Sequence, residues 1–341
     1  MARFLQYLQA MTTAKTRAKA LEEAMKYAAF TAIPYLPLVL ILVATGVTTL
    51  AQSPPEAHGS LDPGVSLTAP GGAGPSPGLS VDTAGRRLDG PTEREIKERS
   101  KPWEIKRLES NGWKLLMSDH FALRGDPGTD ALRFLGVHSE LTFDALVKAL
   151  GGDTSDLRLS VRAFDDPHEF DVFASIAGAK GAASFYDPRN AEAVIAWDSD
   201  RSKGATVRLL RHEVTHLYMD RVFGRTEPLW LCEGLAEWME NATWEDGAVK
   251  PGAESASRLE TVKTAKSAGT LLPLRKLLAA KRDEFYDADH VDLYYAQAWS
   301  LVRFLAAKDA KLPGKLAGGA KLGDLADLAE VDKEWRESIG K

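Results

Sequence analysis

Residues 206–240 read TVRLLRHEVTHLYMDRVFGRTEPLWLCEGLAEWME, and the architecture expected for this chain follows from them. His212 and His216 stand four residues apart among good helix formers, so a helix would present both imidazoles on one face, one turn apart. Glu213 lies between them in the sequence. Two imidazoles and one carboxylate, with the fourth position left open, are the usual composition of a catalytic zinc site. The HEVTH motif therefore predicts a metal centre that needs one further protein ligand.

A second helix is expected to supply that ligand. Glu233 follows His216 after sixteen intervening residues and lies in a helical pattern that Pro228 can open as a first-turn proline. That distance allows the first helix to end, the chain to turn at Gly224, and a return helix to pack against the first. Glu237, four residues after Glu233, shares its face and is expected to fix the tautomer and ring orientation of a ligating histidine.

These residues predict metal-assisted hydrolysis of peptide bonds. One zinc ion would lower the pKa of its bound water toward neutrality, and Glu213 would act as the general base and pass the proton to the leaving amine. An HExxH pentapeptide also arises by chance, in which case two buried histidines would flank an exposed glutamate. The WLCEGLAE run at a suitable distance favours the metal site over that interpretation.

The two motifs, HEVTH and LWLCEGLAEW, resemble those of the gluzincins, the HExxH metallopeptidases whose third zinc ligand is a glutamate on a following helix. The resemblance is greatest to the secreted bacterial "peptidase MA-like" families, relatives of thermolysin and aminopeptidase N. It implies that His212, His216 and Glu233 are the zinc ligands. It also implies that Glu213 is the base and that Glu237 matches the acidic residue found four positions after the third ligand. The fold implied is α+β, with a small mixed sheet, an HExxH helix and a mostly helical C-terminal subdomain.

A second resemblance concerns the stabilisation of the oxyanion. The run YAQAWSLVRFL, which begins at Tyr295, resembles the helix of aminopeptidase relatives that begins with Tyr-Glu-Lys-Gly, where the tyrosine hydroxyl stabilises the tetrahedral oxyanion. Tyr295 is assigned this role, and Tyr294 is the alternative. The non-catalytic interpretation is that the tyrosine is an aromatic residue of the core or its rim. The G-x-M-E-N segment that holds a free amine in aminopeptidases has no match before His212, so aminopeptidase activity is not expected.

The N-terminal part predicts export. Residues 27–51 contain no charged side chain, and residues 1–26 before them carry more Lys and Arg than Glu, which places the N-terminus in the cytoplasm. Residues 27–51 are long enough for a transmembrane anchor, although Pro34 and Pro37 interrupt the first third. They also read as a signal peptide cleaved near Ala51, with residues 1–26 as its n-region. Both interpretations place the remaining chain outside the cytoplasm, as a periplasmic or cell-surface protein or a secreted one.

The remaining chain divides by composition. Residues 52–91 contain seven Pro and eight Gly, too little apolar surface for a core, and are expected to form a disordered linker. Residues 92–112 are charged with helical spacing and predict a lead-in helix. Residues 113–341 are assigned to the peptidase-like domain. The net charge of −5 and the lack of a basic patch argue against a nucleic-acid partner.

Patterns within the peptidase-like domain predict its elements. A hairpin over 113–124, a helix over 130–150, a strand over 157–163, a helix over 167–176, a strand over 193–197 and four helices after Asn241 are expected. By the gluzincin resemblance, 193–197 is an edge strand that borders the cleft and can pair with an extended peptide. The single cysteine, Cys232, excludes an intramolecular disulfide and is expected to be a small buried residue.

The function expected is therefore that of a zinc metallopeptidase acting on a peptide or protein substrate outside the cytoplasm, with the membrane as a further partner if residues 27–51 are not cleaved. The alternative is a non-catalytic zinc-containing domain that binds peptides or serves as a membrane-tethered scaffold. Glu213 favours catalysis, because a structural zinc site does not need a base.

Overall fold

The computed structural model describes residues 66–67, 90–109, 112–197 and 203–340. Segment 27–51, predicted as an anchor or signal peptide, and most of the predicted linker lie outside these ranges. Among the described residues, no helix combines the length and the apolar character that a membrane span requires.

Seven strands form a mixed sheet in the order β1-β6-β7-β5-β4-β3-β2. The pairs β4–β5 and β5–β7 are parallel, and the other neighbours are antiparallel. The strands are β1 (Ser66–Leu67), β2 (Glu104–Arg107), β3 (Lys114–Met117), β4 (Phe121–Gly125), β5 (Leu159–Phe164), β6 (Ser184–Asp187) and β7 (Glu192–Ala196).

Helices accompany the sheet and then dominate the chain. Before and within the sheet lie α1 (Glu93–Arg99), α2 (Thr129–Leu150) and α3 (Pro167–Ala177). The central pair is α4 (Lys203–Phe223) and α5 (Leu229–Glu240), followed by a small hairpin of β8 (Thr243–Glu245) and β9 (Ala248–Lys250). The C-terminal helices are α6 (Ala256–Ser267), α7 (Leu274–Ala279), α8 (Arg282–Phe285), α9 (Val291–Lys308), α10 (Leu312–Ala317), α11 (Leu322–Leu325) and α12 (Leu328–Ser338). A mixed sheet followed by a mostly helical region confirms the predicted α+β class.

The sheet and the central helices share one core. Leu132, Leu135, Leu141 and Leu146 of α2 are buried, and α2 packs against α4 as well as against the sheet. Helix α2 ends at Gly151, whose φ of 72° is unfavourable for residues with a side chain. On the other side of α4, helix α5 packs between α4 and α9. The HEVTH segment therefore lies between packed helices, and its residues are buried.

The predicted lead-in helix is only partly correct. Helix α1 stops at Arg99, and residues 104–107 form β2, which pairs with β3. Pro102 explains the change, because a proline disfavours helical backbone at the residue before it and cannot continue a helix. The sheet therefore begins within 92–112, ahead of the predicted domain start at 113.

A further expectation at the sheet edge was wrong. Strand β7, expected as an edge strand, lies between β5 and β6 and pairs with both. The strand next to it is β6, whose four residues are buried. Ser66–Leu67, within the predicted disordered linker, forms β1 and pairs antiparallel with β6. The chain itself thus occupies the outer edge of β6.

A buried ion-pair cluster links three neighbouring strands. Glu192 on β7 is 1% exposed and accepts a 2.8 Å hydrogen bond from Nε of Arg162 on β5, and it also pairs with Arg124 on β4. We expect Glu192→Ala to lower the free energy of unfolding by about 3–5 kcal/mol, because it leaves buried guanidinium charge without its carboxylate. Urea unfolding of the full chain measures this loss. The matched control is Glu104→Ala, which removes an exposed carboxylate paired with Lys106 and should cost less than about 1 kcal/mol; equal losses would contradict the assignment.

Candidate metal centre

The turn between α4 and α5 brings the HEVTH and LWLCEGLAEW motifs together. Helix α4 ends at Phe223, and the chain turns at Gly224, whose φ is 63°. The turn is closed by the backbone N–H of Arg225, which donates to the carbonyl of Met219 at 3.2 Å. Pro228 is the N-cap of α5 and lies just before its first turn, not within it as predicted. Helix α5 then packs along α4.

The three predicted ligands converge. Nε2 of His212 lies 3.5 Å from Oε2 of Glu233, and Nε2 of His216 lies 3.3 Å from the same oxygen. One ligand atom from each residue lies within 4.8 Å of the other two. All three side chains are buried, at no more than 6% exposure. The two helices thus present two imidazole nitrogens and one carboxylate oxygen to a common point.

The distances fit a metal ion of the predicted kind. For four ligands at about 2.1 Å in a tetrahedron, neighbouring ligand atoms lie about 3.4 Å apart. The two nitrogen–oxygen distances, 3.5 and 3.3 Å, match that separation. The donor set of two imidazoles and one carboxylate is also the one that catalytic zinc sites use. The residues present therefore fit a zinc ion.

The nitrogen of His212 that faces away from this point has its own partner. Nδ1 of His212 lies 3.0 Å from Oε2 of Glu240, and Arg208 donates to the other oxygen of that carboxylate. Burial alone would raise the pKa of Glu240, but the hydrogen bond with His212 and the charge of Arg208 lower it to about 2. An ionised Glu240 can accept a hydrogen bond from Nδ1–H, which leaves the lone pair of Nε2 for the point that His212 shares with His216 and Glu233.

The contact to His212 was predicted for Glu237, and this prediction was wrong. Glu237 is buried and receives hydrogen bonds from Nε and Nη2 of Arg258 on α6, at 3.0 and 2.6 Å. The Arg258 guanidinium also lies over the ring of Tyr295, 5.2 Å from its centroid. Glu237 therefore ties α5 to α6 and α9, while Glu240, one turn further along α5, holds the histidine.

The predicted base lies beside the ligands but does not belong to their set. Glu213 is fully buried, and Oγ of Ser184 on β6 donates to its Oε1 at 2.8 Å. Burial raises the pKa of Glu213 above its usual value, while His212, His216 and the Ser184 hydrogen bond act in the opposite direction. A carboxyl whose pKa is raised toward neutrality is a better match for accepting and returning a proton than an exposed one.

Two tyrosines lie next to the ligands. The hydroxyl of Tyr286, which follows α8, donates a short hydrogen bond to Oε1 of Glu233. Tyr295 on α9 is buried, and its ring centroid lies 6.4 Å from that of His212. Tyr294 instead packs against Phe285 at 5.0 Å. Of the two predicted alternatives, Tyr295 is therefore the one beside the site, and Tyr286 was not predicted.

The pKa values of Tyr295 and Glu233 are shifted in opposite directions. Burial and the nearby carboxylate of Glu233 raise the pKa of Tyr295 well above its usual value, so its hydroxyl stays a donor at neutral pH. Burial would raise the pKa of Glu233 too, but His216 and His212 hold it well below its usual range. The ligand is thus a carboxylate and the adjacent phenol is neutral.

Other candidates lie apart from the ligand set. Cys232 is 2% exposed, and burial raises the pKa of its thiol, as expected for a small buried residue. His120 pairs with Glu140, whereas His138 is buried on α2 and His168 is exposed at the start of α3. None of these side chains joins a group of metal-ligating residues within the described ranges.

Fold and site together define an α+β protein with a two-histidine, one-glutamate centre on a pair of adjacent helices. A protein-family profile described as "Protein of unknown function (DUF1570)" matches residues 205–313, about a third of the chain. The matched region begins in α4, contains His212, His216 and Glu233 and extends through α9. No curated protein matches the chain.

The reassigned contact to His212 gives a testable difference between two glutamates. Glu240→Gln replaces the acceptor of the Nδ1 proton with an amide, and we expect zinc affinity to fall about 10- to 100-fold, the usual effect of such supporting partners. Glu237→Gln should weaken the tie to α6 and lower thermal stability, with a smaller effect on zinc affinity. Competition titration against a zinc chelator, run beside thermal unfolding, checks both; a larger affinity loss for Glu237→Gln would contradict the assignment.

Proposed function

We propose that this protein is a zinc-dependent metallopeptidase of the gluzincin type that hydrolyses peptide bonds outside the cytoplasm. The observation that carries the proposal is the convergence of His212, His216 and Glu233 next to a buried carboxyl, Glu213, that is not one of them. A metal site that served only to stabilise the fold would need its ligands but no further buried carboxyl group. A non-ligating buried glutamate held by Ser184 is costly to bury and supports a role in proton transfer.

In this proposal His212, His216 and Glu233 hold one zinc ion, which when bound supplies Lewis acidity toward water and a substrate carbonyl. Glu213 accepts the proton of the attacking water and returns it to the leaving amine. Ser184 orients the Glu213 carboxyl through its hydrogen bond to Oε1. The enclosure of all four side chains excludes bulk water and strengthens their interactions with developing charge.

The tyrosines have separate tasks. Tyr286 donates to Oε1 of Glu233 and so orients the ligand carboxylate, whose other oxygen faces the two histidines. Tyr295 supplies a neutral phenol beside His212 that can donate to an oxyanion. Arg258, over its ring and paired with Glu237, fixes the position of that side chain.

The proposed location rests on residues 27–51 alone. Their lack of charge and the basic residues before them support export, with the segment either retained as a membrane anchor or removed as a signal peptide. Mass spectrometry of the mature N-terminus distinguishes the two. A start at Met1 supports the anchor, and a start near residue 52 supports the cleaved signal.

Peptide hydrolysis by the full chain tests the proposed activity. Casein and a library of quenched fluorescent peptides should be cleaved by the zinc-loaded protein, cleavage should stop on chelation and it should return on adding zinc. Stoichiometric zinc without cleavage of any substrate would instead favour the alternative, a zinc-containing domain that binds peptides or forms a scaffold. Preference for peptides with a blocked N-terminus would agree with the missing aminopeptidase segment.

A further inference from the structure

The cleft next to the metal centre contains two arginines as well as two of the ligands. Its lining includes His216, Glu233 and Tyr286, together with Arg225 and Arg282. The first arginine follows the turn between α4 and α5, and the second begins α8. Both are half-buried, so part of each guanidinium faces the cleft. Nothing in the proposed hydrolysis uses either side chain.

The two arginines are held in place by the elements of the site itself. The backbone of Arg225 closes the turn after α4 by donating to Met219. The Arg282 guanidinium lies over the ring of Tyr286, 4.9 Å from its centroid, and that tyrosine donates to Glu233. The Arg282 guanidinium thus lies against a residue that contacts Glu233, and the backbone of Arg225 is positioned by the turn between α4 and α5.

The charge of the cleft selects for an anion. Among its described lining residues, Glu233 is the only carboxylate. Its Oε2 faces His212 and His216, with which it would share the metal. Two guanidinium groups and one carboxylate thus contribute the formal charges of arginine and glutamate among the lining residues. Arginine presents a planar fork of donors that matches a carboxylate in a bidentate arrangement, and such charge-assisted hydrogen bonds are among the strongest in proteins.

We propose that Arg225 and Arg282 form a carboxylate-binding subsite, so that the peptides this centre takes carry an acidic group close to the bond to be cleaved. The position of this group relative to a cleaved bond rests on the proposed function, whereas the binding of the carboxylate does not. A peptide offers that carboxylate from two sources, an Asp or Glu side chain or a free C-terminus. Leu229 and Cys232 line the same cleft and give it some apolar surface.

Binding measured without turnover tests the inference separately from hydrolysis. The full chain carrying Glu213→Gln and loaded with zinc is titrated with fluorescein-labelled nonapeptides in four forms, with Glu or Gln at the centre and with a free or an amidated C-terminus. Fluorescence anisotropy should report binding of at least one carboxylate form about 10- to 100-fold tighter than that of the peptide with a central Gln and an amidated end. The form that carries the preference identifies the source of the carboxylate.

The arginines are then replaced in the same background. Arg225→Gln and Arg282→Gln should each remove most of the preference, whereas Arg225→Lys and Arg282→Lys should retain part of it, because charge remains but the fork is lost. The matched control is Arg275→Gln, an exposed arginine on α7 outside the cleft, which should leave the preference unchanged. Unfolding midpoints of all variants check that they are folded.

The outcomes separate the two proposals. Carboxylate-selective binding that depends on the arginines supports the subsite even if the wild-type chain cleaves none of these peptides, in which case the proposed peptidase activity fails alone. Equal affinity for all four forms, no measurable binding of any form, or a preference that survives both glutamine variants would overturn the subsite. Cleavage of neutral and acidic peptides with equal kcat/KM by the wild-type chain would overturn it as well, while leaving the peptidase proposal intact.

Discussion

Replacing Glu213 by glutamine is expected to reduce kcat for peptide hydrolysis about 100- to 10,000-fold, the range that a positioned general base contributes. The amide keeps the shape of the side chain and can still contact Ser184, but it cannot accept the proton of the attacking water. KM should change little, because Glu213 lies beside the ligands and outside the lining of the cleft. Steady-state kinetics on a quenched peptide cleaved by the wild-type chain measure both quantities.

Two controls make this result specific. Zinc content of Glu213→Gln should equal that of the wild-type chain, since the glutamate is not among the converging ligands. Glu260→Gln, which changes an exposed glutamate on α6, should leave both zinc content and kinetics unchanged. Full activity in a zinc-loaded Glu213→Gln protein would remove this residue from the mechanism.

Loss of the third ligand should have an equally large effect on the metal. Glu233→Gln exchanges the only charged ligand for a neutral amide, and we expect zinc affinity to fall by more than about 100-fold, beyond the effect of a supporting partner such as Glu240. Hydrolysis should fall with it at limiting zinc. A zinc-chelator competition titration gives the affinity, and elemental analysis after dialysis gives the content.

The neighbouring residue offers the matched control. Cys232→Ala alters a buried side chain adjacent in sequence to the ligand, and its zinc affinity should stay within a few-fold of the wild type. A zinc affinity that is unchanged in Glu233→Gln but lost in Cys232→Ala would place a thiolate in the centre and contradict the geometry described above.

The part of the site that sequence predicted is the part fixed by helix periodicity. Residues His212 and His216 are one turn apart on α4, so their common face follows from the backbone alone. The return helix needed only a turn and a sufficient length of chain, both visible around Gly224. The α+β class followed in the same way, from alternating segments before α4 and helical patterns after it.

The supporting residue on α5 shows the limit of that reasoning. Glu237 and Glu240 both lie within two turns of Glu233, and periodicity permits either to face α4. The choice depends on where the far nitrogen of His212 lies, which is set by the packing of α4 against α5. Arg258 forms the ion pair with Glu237, which leaves Glu240 to contact His212. No local pattern in the sequence predicts that Arg258 lies there.

Contacts over long sequence separation were missed for the same reason. Ser184 lies 29 residues before Glu213, and Tyr286 lies 53 residues after Glu233. The serine belongs to β6, for which no strand was predicted. Its strand identity comes from pairing with β7, and the position of Tyr286 comes from α8 packing near α5. Both are tertiary facts that residue spacing does not encode.

X-ray absorption at the zinc edge, on the full chain purified without added chelator, tests the central claim most directly. Stoichiometric zinc with two imidazoles and only nitrogen and oxygen neighbours is the result predicted for His212, His216 and Glu233 with the remaining position open. A sulfur neighbour, or a chain that retains no zinc when zinc is supplied, would contradict the account.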